Sequence, residues 1–212
     1  MSRTDNSSQN QARCGRPCTA CVLLVVWMLL ILGGFGLVTQ YEFTATQAAA
    51  AEAIHVSPMW TDLSSASAAE DDRSAGWTLT VALHPKCPCS AATMTQIEEI
   101  SRQFPSLTLR FLVFRPTDGQ TWEDTPLLRR AKALRSELID DPDGRLAASE
   151  GLPASGATQL LDPDGQVCFR GGLTSSRGHE GRSLGTQSVE QLLSGRLATA
   201  STTPAYGCPV RD

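Results

Sequence analysis

The chain has 212 residues and a formal net charge of −4 at pH 7, with 18 lysine and arginine residues against 22 aspartate and glutamate residues. This balance gives no basic surface of the kind that nucleic-acid binding requires, so we expect no nucleic-acid partner. The length allows one domain of ordinary size with additional segments at its ends.

The most apolar stretch is residues 21–38, eighteen residues without a charged side chain. At about 1.5 Å of rise per residue, a helix of this length nearly crosses a hydrocarbon core of about 30 Å. Arg3, Arg13 and Arg16 precede the stretch, so the positive-inside rule puts the N-terminus in the cytoplasm. We therefore predict a single-pass protein of the inner (cytoplasmic) membrane, anchored by residues 19–41, with the remainder of the chain outside the cytoplasm.

A cleaved signal peptide is the alternative, because residues 44–53 contain small residues at Ala-x-Ala spacing. The apolar run is longer than the usual signal core, which favours an anchor. The remaining divisions predicted from composition are a cytoplasmic segment over 1–18, an Ala/Ser-rich linker over 42–75, a folded domain over 76–198 and a tail over 199–212.

Hydrophobic periodicity predicts the elements of the folded domain in chain order. Residues 77–83 alternate apolar with polar or small side chains, as a strand does, and residues 90–103 have the spacing of an amphipathic helix. Residues 107–114 are β-rich and largely apolar, which is typical of a buried strand. Thr125 can then cap a second helix whose first turn contains Pro126.

The second half of the domain predicts a hairpin and a last helix. The Asp-Pro-Asp-Gly sequence at 162–165 separates two apolar stretches, which is a strong turn signal. Ser188 and Gln191 have capping-box spacing, so the last helix is predicted to begin at Ser188. The order β-α-β-α-(β)α-β-β-α predicts an α/β fold with a mixed sheet and helices on both faces.

The seven cysteines divide between the two sides of the predicted anchor. Three lie on the cytoplasmic side, where thiols stay reduced, and four lie in the exported part, where disulfides form and persist. The first three, which we interpret as idle thiols, are Cys14, Cys18 and Cys21. The other four are Cys87, Cys89, Cys168 and Cys208.

Cys87 and Cys89 stand one proline apart, where the first predicted strand is followed by the first predicted helix. A helix N-terminus stabilises thiolate over thiol, and His84 and Lys86 can add positive charge nearby. Because the thiolate is the attacking species in disulfide exchange, this pattern predicts a redox pair. A Cys87–Cys89 disulfide is sterically allowed at this spacing, although the fixed φ of Pro88 constrains it.

The order of elements, the cysteine pair and the hairpin "SGATQLLDPDGQVCFRGG" together resemble the thioredoxin superfamily over about residues 76–198. Within it, "HPKCPCS", "GGLTSSRGH" and "YGCP" resemble the membrane-anchored RedB-like branch of bacterial thioredoxin-like proteins. The resemblance implies a thioredoxin-like fold and an extracytoplasmic thiol–disulfide oxidoreductase without a cofactor. It also implies that Cys87 and Cys89 are the redox pair and that protein dithiols or disulfides are the partners.

The sequence departs from the superfamily pattern in two places. The usual Cys-x-x-Cys is one residue shorter here. The cis-proline that normally faces the cysteines, just before the hairpin strand, is replaced by Ser155-Gly156. Because that loop helps bind substrate and blocks metal capture in the superfamily, its change leaves the substrate class and metal exclusion open.

Copper binding is the alternative function, because two thiolates with an imidazole suit Cu(I). His84 and His179 are the candidate nitrogen ligands, beside Cys87 and Cys89. The resulting protein would be a Cu(I)-binding or metal-delivery module, and a scaffolding domain without chemistry is a third hypothesis. Arg177, in the same Gly-rich loop as His179, can pair with a thiolate or a substrate carboxylate, although a solvated arginine is the ordinary outcome.

Cys168 lies inside an alternating strand and is predicted to be a buried, inert thiol. Cys208 lies near the chain end between Gly207 and Pro209, where a partner would order an otherwise mobile tail. We favour a structural Cys168–Cys208 disulfide, which closes a loop of about 40 residues. A link from Cys208 to the Cys87/Cys89 pair is the alternative, and it would make Cys208 a third redox thiol.

Overall fold

The computed structural model describes residues 19–44, 76–117 and 124–210. It divides into two compact units, an N-terminal helix and an α/β domain. The predicted cytoplasmic segment over 1–18 and most of the predicted linker over 42–75 lie outside the described residues.

Helix α1 (Thr19–Phe43) has 25 residues and is long and apolar enough to cross a membrane. Within the described part of the chain, it is the one helix that meets this criterion. None of its residues is buried, and large side chains such as Leu23 and Phe35 are exposed around it. A helix that is apolar all round needs a surrounding other than water, such as a membrane or a protein core.

The α/β domain is built on a five-stranded sheet with the strand order β3-β2-β1-β4-β5. Strands β1 and β2 are parallel, as are β2 and β3, whereas β4 is antiparallel to both β1 and β5. The predicted mixed sheet with a closing hairpin is thus confirmed. The strands are β1 (Thr78–Leu83), β2 (Thr108–Arg115), β3 (Glu137–Pro142), β4 (Ala157–Leu161) and β5 (Val167–Gly172).

Helices cover both faces of the sheet, as predicted. Three helices bury their apolar sides in the larger core cluster, together with Leu79, Val81 and Leu83 of β1. A short helix and the C-terminal tail pack on the other face, with Ala82 of β1. The three are α2 (Cys89–Gln103), α3 (Pro126–Ala133) and α5 (Leu184–Leu193), and the short helix is α4 (Arg145–Ser149).

The start of α3 is as predicted, whereas the predicted start of α5 is wrong. Thr125 is the N-cap of α3, and its hydroxyl accepts a hydrogen bond from the N–H of Leu128 at 3.3 Å. Helix α5 is capped by Ser183, whose hydroxyl accepts from the N–H of Thr186 at 3.1 Å. Ser188 lies inside α5, buried, and its hydroxyl instead accepts from the N–H of Ala200 at 3.1 Å.

The C-terminal tail is held by backbone hydrogen bonds over its described residues. The N–H of Arg170 in β5 donates to the carbonyl of Ser201 at 3.0 Å. Further along, the N–H of Val210 donates to the carbonyl of Pro153 at 3.0 Å, and the side chain of Val210 is buried. The tail therefore runs from β5 towards the loop before β4, and its order does not depend on a disulfide.

Candidate redox site

Cys87 occupies the junction between β1 and α2. Its N–H donates to the carbonyl of His84 at 3.0 Å, which closes a tight turn, and Pro88 follows as the N-cap of α2. Cys89 is the first residue of α2. The residue Cys87 is only 4% exposed, whereas Cys89 is half-buried. The two cysteines therefore stand at the N-terminus of a helix of the main core, as the sequence predicted.

The C-terminal tail brings a third thiol to this junction. The Sγ atom of Cys208 lies 3.4 Å from the Sγ atom of Cys87. The carbonyl of Cys208 accepts a hydrogen bond from the N–H of Ser155 at 2.9 Å, and a β-bridge pairs Pro209 with Ala154. Cys208 thus has a position fixed by backbone contacts on both sides of the thiol.

Hydrogen bonds lower the pKa of the Cys87 thiol. Burial is the largest single influence and acts to raise it, because a buried thiolate loses its hydration. The opposing hydrogen bonds together outweigh burial; they come from the backbone and thiol of Cys208 and from the hydroxyl and backbone of Ser90. The net result is a thiol that ionises more readily than an ordinary cysteine.

Cys89 and Cys208 shift in the opposite direction. Burial raises the pKa of Cys89, and the charge and side-chain hydrogen bond of Cys87 raise it further. The charge and hydrogen bond of Arg177 partly oppose these effects. Burial and the proximity of Cys87 raise the pKa of Cys208 to about 11. Of the three neighbouring thiols, Cys87 therefore ionises most readily.

Arg177 lies beside the thiols, as the sequence allowed. Its Nη1 donates to the carbonyl of Gly207 at 2.8 Å, so the guanidinium is fixed next to the tail. Its positive charge acts on both Cys89 and Cys208. Cys87, Arg177 and Cys208, which come from three separate stretches of the sequence, thus meet at one site.

Ser155 links the elements of the site. Its hydroxyl accepts from the N–H of His84 at 2.7 Å and lies 2.5 Å from the hydroxyl of Ser90. Both serines are almost completely buried. Gly156 follows with a φ of +87°, and a Cβ atom there would lie 2.7 Å from Oγ1 of Thr93 in α2. The Ser155-Gly156 loop therefore faces the start of α2.

The two predicted histidines do not join the thiols in the described structure. The imidazole of His84 stacks on Phe114 with ring centroids 5.0 Å apart, and its Nδ1 accepts from the N–H of Lys86 at 3.3 Å. Burial is the largest cause that lowers the pKa of His84, and the charge of Lys86 lowers it further. His179 is exposed on its loop. The positive charge expected from His84 and Lys86 is not among the causes that lower the pKa of Cys87.

Cys168 does not meet Cys208. It lies near the turn of the β4–β5 hairpin, with its Sγ 3.8 Å from Oδ2 of Asp162. Burial, followed by the charge of Asp162, raises the pKa of Cys168 to about 11, which suits the predicted inert thiol. The favoured Cys168–Cys208 disulfide is absent, and so is the Cys87–Cys89 disulfide; all five cysteines in the described ranges are free thiols.

The reason for the missing Cys168–Cys208 disulfide is the register of the hairpin. Ala157 pairs with Gly172 at one end of the hairpin, and Leu161 pairs with Val167 at the other end, beside Cys168. The tail reaches the loop before Ala157, which is the end away from Cys168. The structure thus corresponds to the alternative placement of Cys208, beside the Cys87/Cys89 pair.

An open cavity of about 250 Å³ borders Cys87. Its walls come from the turn before α2, from Ala91 in α2 and from α3. The lining is largely apolar, with the charged side chains of Lys86 and Arg130 among the lining residues. The cavity gives a reacting group a route to a cysteine that is otherwise buried.

Several solved structures of bacterial proteins are similar to this chain. An uncharacterized conserved protein from Geobacillus kaustophilus matches with a TM-score of 0.52 and 20% identity, over 68% of this chain and 80% of that chain. A hypothetical protein from Sinorhizobium meliloti matches with a TM-score of 0.49 and 16% identity, over 65% and 80%. A secreted Mycobacterium tuberculosis disulfide oxidoreductase homologous to E. coli DsbE matches with a TM-score of 0.38 and 14% identity, over 57% and 82%. No protein-family model and no curated protein matches the sequence.

The domain has a thioredoxin-like fold. Its parallel β1-α2-β2 unit is followed by an antiparallel β4–β5 hairpin and a closing helix, and the cysteine pair stands where β1 meets α2. The fold class predicted from the sequence is confirmed. Sequence reasoning missed Ser90, because a serine near a helix start carries no signal of a thiolate partner. It also missed the hydrogen bonds of Ser155, because their partners lie far away in the sequence.

Proposed function

We propose that this protein is a membrane-anchored, extracytoplasmic thiol–disulfide oxidoreductase in which Cys87 is the attacking cysteine. The observation that carries the proposal is the lowered pKa of Cys87 at the start of α2, within a cluster of three thiols. Disulfide exchange requires a thiolate with access to a partner sulfur and a second thiol nearby. An inert structural cysteine requires none of these features.

The surroundings of Cys87 fit this chemistry step by step. Hydrogen bonds from Ser90 and Cys208 stabilise the thiolate before it reacts. The adjoining open cavity has room for a disulfide of a partner protein, and its lining is largely apolar. Arg177 opposes the raised pKa values of Cys89 and Cys208, so it favours ionisation of whichever thiol reacts second. Partner proteins would therefore be extracytoplasmic proteins with accessible disulfides or dithiols.

The anchoring part of the proposal is supported by α1 and by the charges around it. The helix is long enough to span a membrane, and Arg3, Arg13 and Arg16 precede it in the sequence. A membrane-impermeant thiol reagent should label an introduced Leu197→Cys in spheroplasts and leave Cys14 unlabelled. Labelling of Cys14 without labelling at position 197 would reverse the proposed topology. Release of a shortened soluble protein would show cleavage instead of anchoring.

Copper delivery receives less support from the site. His84 stacks on Phe114, and His179 is exposed. Among the described residues, no group of three or more histidine, cysteine or acidic side chains is arranged to hold a metal. No specific contact favours copper over disulfide exchange, so the redox function remains the proposal.

Turnover of a model disulfide tests the function. The reduced full-length protein, in detergent, is mixed with a fluorogenic peptide disulfide and a dithiol reductant that regenerates it. We expect Cys87→Ser to lower the rate at least a hundredfold, because the attacking sulfur is removed. Cys168→Ser is the matched control and should stay within about twofold of wild type, since Cys168 lies away from the site.

The result that would overturn the proposed function is equal turnover by the wild-type protein, Cys87→Ser and the detergent blank. A rate that depends on Cys168 and not on Cys87 would do the same. Far-ultraviolet circular dichroism of each variant separates loss of chemistry from loss of fold.

A further inference from the structure

Cys87 has two neighbouring cysteines, and the backbone favours one of them as its disulfide partner. Pro88 has a φ of −65° and a ψ of −31°, so the chain is already helical between Cys87 and Cys89. Residues two apart on a helix do not face each other, because each residue turns the direction of the side chain by about 100°. The thiol of Cys89 is within hydrogen-bonding reach of Cys87, but a disulfide between the two would have to form against this helical course of the backbone.

Cys208 approaches Cys87 from outside the helix and has no such constraint. The two Sγ atoms are 3.4 Å apart, and a disulfide bond of about 2.05 Å requires them to approach by about 1.4 Å more. Three contacts hold the tail in place for this: Ser155 N–H to the carbonyl of Cys208, Arg177 to the carbonyl of Gly207, and the bridge between Pro209 and Ala154.

At Gly207 the C-terminal tail lies very close to the backbone of the Ser155-Gly156 loop. A Cβ atom at position 207 would overlap the carbonyl of Ser155. A residue with a side chain would therefore push Cys208 away from Cys87. The close approach of two backbones places the thiol, and it needs no bond to Cys168.

We propose that Cys208 is the resolving cysteine of Cys87, so that the oxidised protein contains a Cys87–Cys208 disulfide. This inference rests on the proposed function and deepens it. It assigns the second redox position to the C-terminal tail, in place of the neighbouring cysteine of the Cys-Pro-Cys sequence.

The reaction proceeds in two exchanges. The Cys87 thiolate attacks one sulfur of a partner disulfide; a Cys87–partner bond forms, the partner bond breaks, and the leaving sulfur departs as a thiolate that takes up a proton. Cys208 then loses its proton to solvent and attacks the Sγ of Cys87. The mixed disulfide breaks, Cys87–Cys208 forms, and the second partner sulfur leaves as a thiolate. The partner gains two electrons from Cys87 and Cys208. A dithiol reductant then reduces the Cys87–Cys208 disulfide back to two thiols.

The charges of the cluster fit this order of events. While Cys87 is a thiolate, its charge and hydrogen bond contribute to the raised pKa of Cys208, so Cys208 stays protonated and donates to Cys87. Once Cys87 is in a mixed disulfide, that negative charge is gone. Arg177 remains beside Cys208 and favours its ionisation. The second thiol is thus held back until the first has reacted.

Peptide mapping of the oxidised full-length protein in detergent tests the proposal. Trypsin releases residues 87–102, with both Cys87 and Cys89, and residues 197–211, with Cys208 as its one cysteine. We expect these two peptides to be joined under non-reducing conditions, to remain joined in Cys89→Ser and to separate in Cys87→Ser. Oxidation confined to a bridge inside 87–102, or a link that persists in Cys87→Ser, would overturn the proposal.

Turnover separates failure of this proposal from failure of the proposed function. We expect Cys208→Ser to attack one equivalent of the peptide disulfide, accumulate the mixed disulfide on Cys87, and turn over at least tenfold more slowly than wild type. If Cys208→Ser turns over like wild type while Cys87→Ser is inactive, Cys208 is not the resolving cysteine and the oxidoreductase function stands. If Cys87→Ser is also fully active, both assignments fail.

Discussion

The Sγ atoms of Cys87 and Cys208 lie 3.4 Å apart, although 121 positions separate the two residues in the chain. Cys87 lies at the junction between β1 and α2. Cys208 lies in the C-terminal tail, which packs on the face of the sheet that carries the smaller core cluster. Their contact brings the C-terminal tail to Cys87, the thiol whose pKa is lowered. Reactivity and C-terminal order are therefore expected to depend on each other.

The first prediction concerns Ser90. Its hydroxyl is one of the groups that lower the pKa of Cys87, so Ser90→Ala should raise that pKa. A hydrogen bond to a charged group contributes about 1.5–3 kcal/mol, so its loss should disfavour the thiolate. The profile of Cys87 alkylation rate against pH, measured in a Cys89→Ser background, should shift to higher pH.

Ser149→Ala is the control for Ser90→Ala, because Ser149 is exposed on α4. Its profile should match that of the parent protein. A Ser90→Ala profile that also matches the parent would show that Ser90 does not stabilise the thiolate.

Arg177 is expected to act on Cys89 and Cys208. Its charge opposes the raised pKa values of both thiols, so Arg177→Ala should raise them further and slow the second exchange. Decay of the mixed disulfide should slow at least threefold at pH 7, and Arg177→Lys should recover part of the rate because it keeps the charge. Stopped-flow quenching with mass detection measures this decay. If the mixed disulfide decays at the same rate in Arg177→Ala as in the wild-type protein, Arg177 does not assist the second exchange. Arg196→Ala is the control, because it removes a different, exposed arginine.

Gly207→Ala should displace the tail. The added Cβ atom would overlap the carbonyl of Ser155, so Cys208 should move away from Cys87. Because Cys208 helps to lower the pKa of Cys87, that pKa should rise, and formation of the Cys87–Cys208 disulfide should slow at least tenfold. Thr202→Ala, at an exposed position of the same tail, should leave both properties unchanged. If Gly207→Ala and Thr202→Ala form the Cys87–Cys208 disulfide at the same rate, the close contact at Gly207 does not position Cys208.

Local patterns predicted most of the fold. The period of two in β1 and the spacing of apolar residues in α2 depend on neighbours in sequence, and so does the Thr125-Pro126 start of α3. The start of α5 was missed for a local reason as well. Ser188 and Gln191 match the capping-box pattern, whereas the true cap, Ser183, has Thr186 three residues later.

The candidate site could be predicted only in part. Cys87 and Cys89 are neighbours, so their place at a helix start follows from the sequence around them. The contacts of Cys208 and Arg177 come from tertiary structure, and no local pattern specifies where a tail of this length will lie. The preference for Cys168 as the partner of Cys208 assumed a mobile tail, whereas backbone hydrogen bonds already hold it.

The buried thiol of Cys168 is expected to make the folded protein less stable at alkaline pH. Its pKa in the folded protein is about 11, because burial and then Asp162 disfavour the thiolate, while an unfolded chain has a cysteine pKa of about 8.5. Ionisation therefore favours the unfolded chain. The stabilising contribution is complete below about pH 8.5 and is lost as the pH rises through about 11. The denaturant midpoint of the full-length protein should fall between pH 8 and pH 10.5.

The comparison of variants isolates this contribution. Cys168→Ala should show a smaller fall in the denaturant midpoint than wild type over the same interval, since the titrating thiol is gone. Cys21→Ala, in α1, should show the full fall. Identical falls in all three proteins would show that ionisation of Cys168 does not contribute to the loss of stability at alkaline pH.

The reduction potential of the full-length protein, titrated against glutathione and read by the mass of alkylated peptides, tests the redox assignment most directly. We predict a two-electron couple that includes Cys87, with a midpoint between about −270 and about −120 mV, the range of dedicated thiol–disulfide oxidoreductases. Cys87→Ser should abolish the couple, and Cys168→Ser should leave its midpoint unchanged. A Cys87 that stays a free thiol throughout the titration, or a midpoint below about −300 mV as in structural disulfides, would contradict the proposed function.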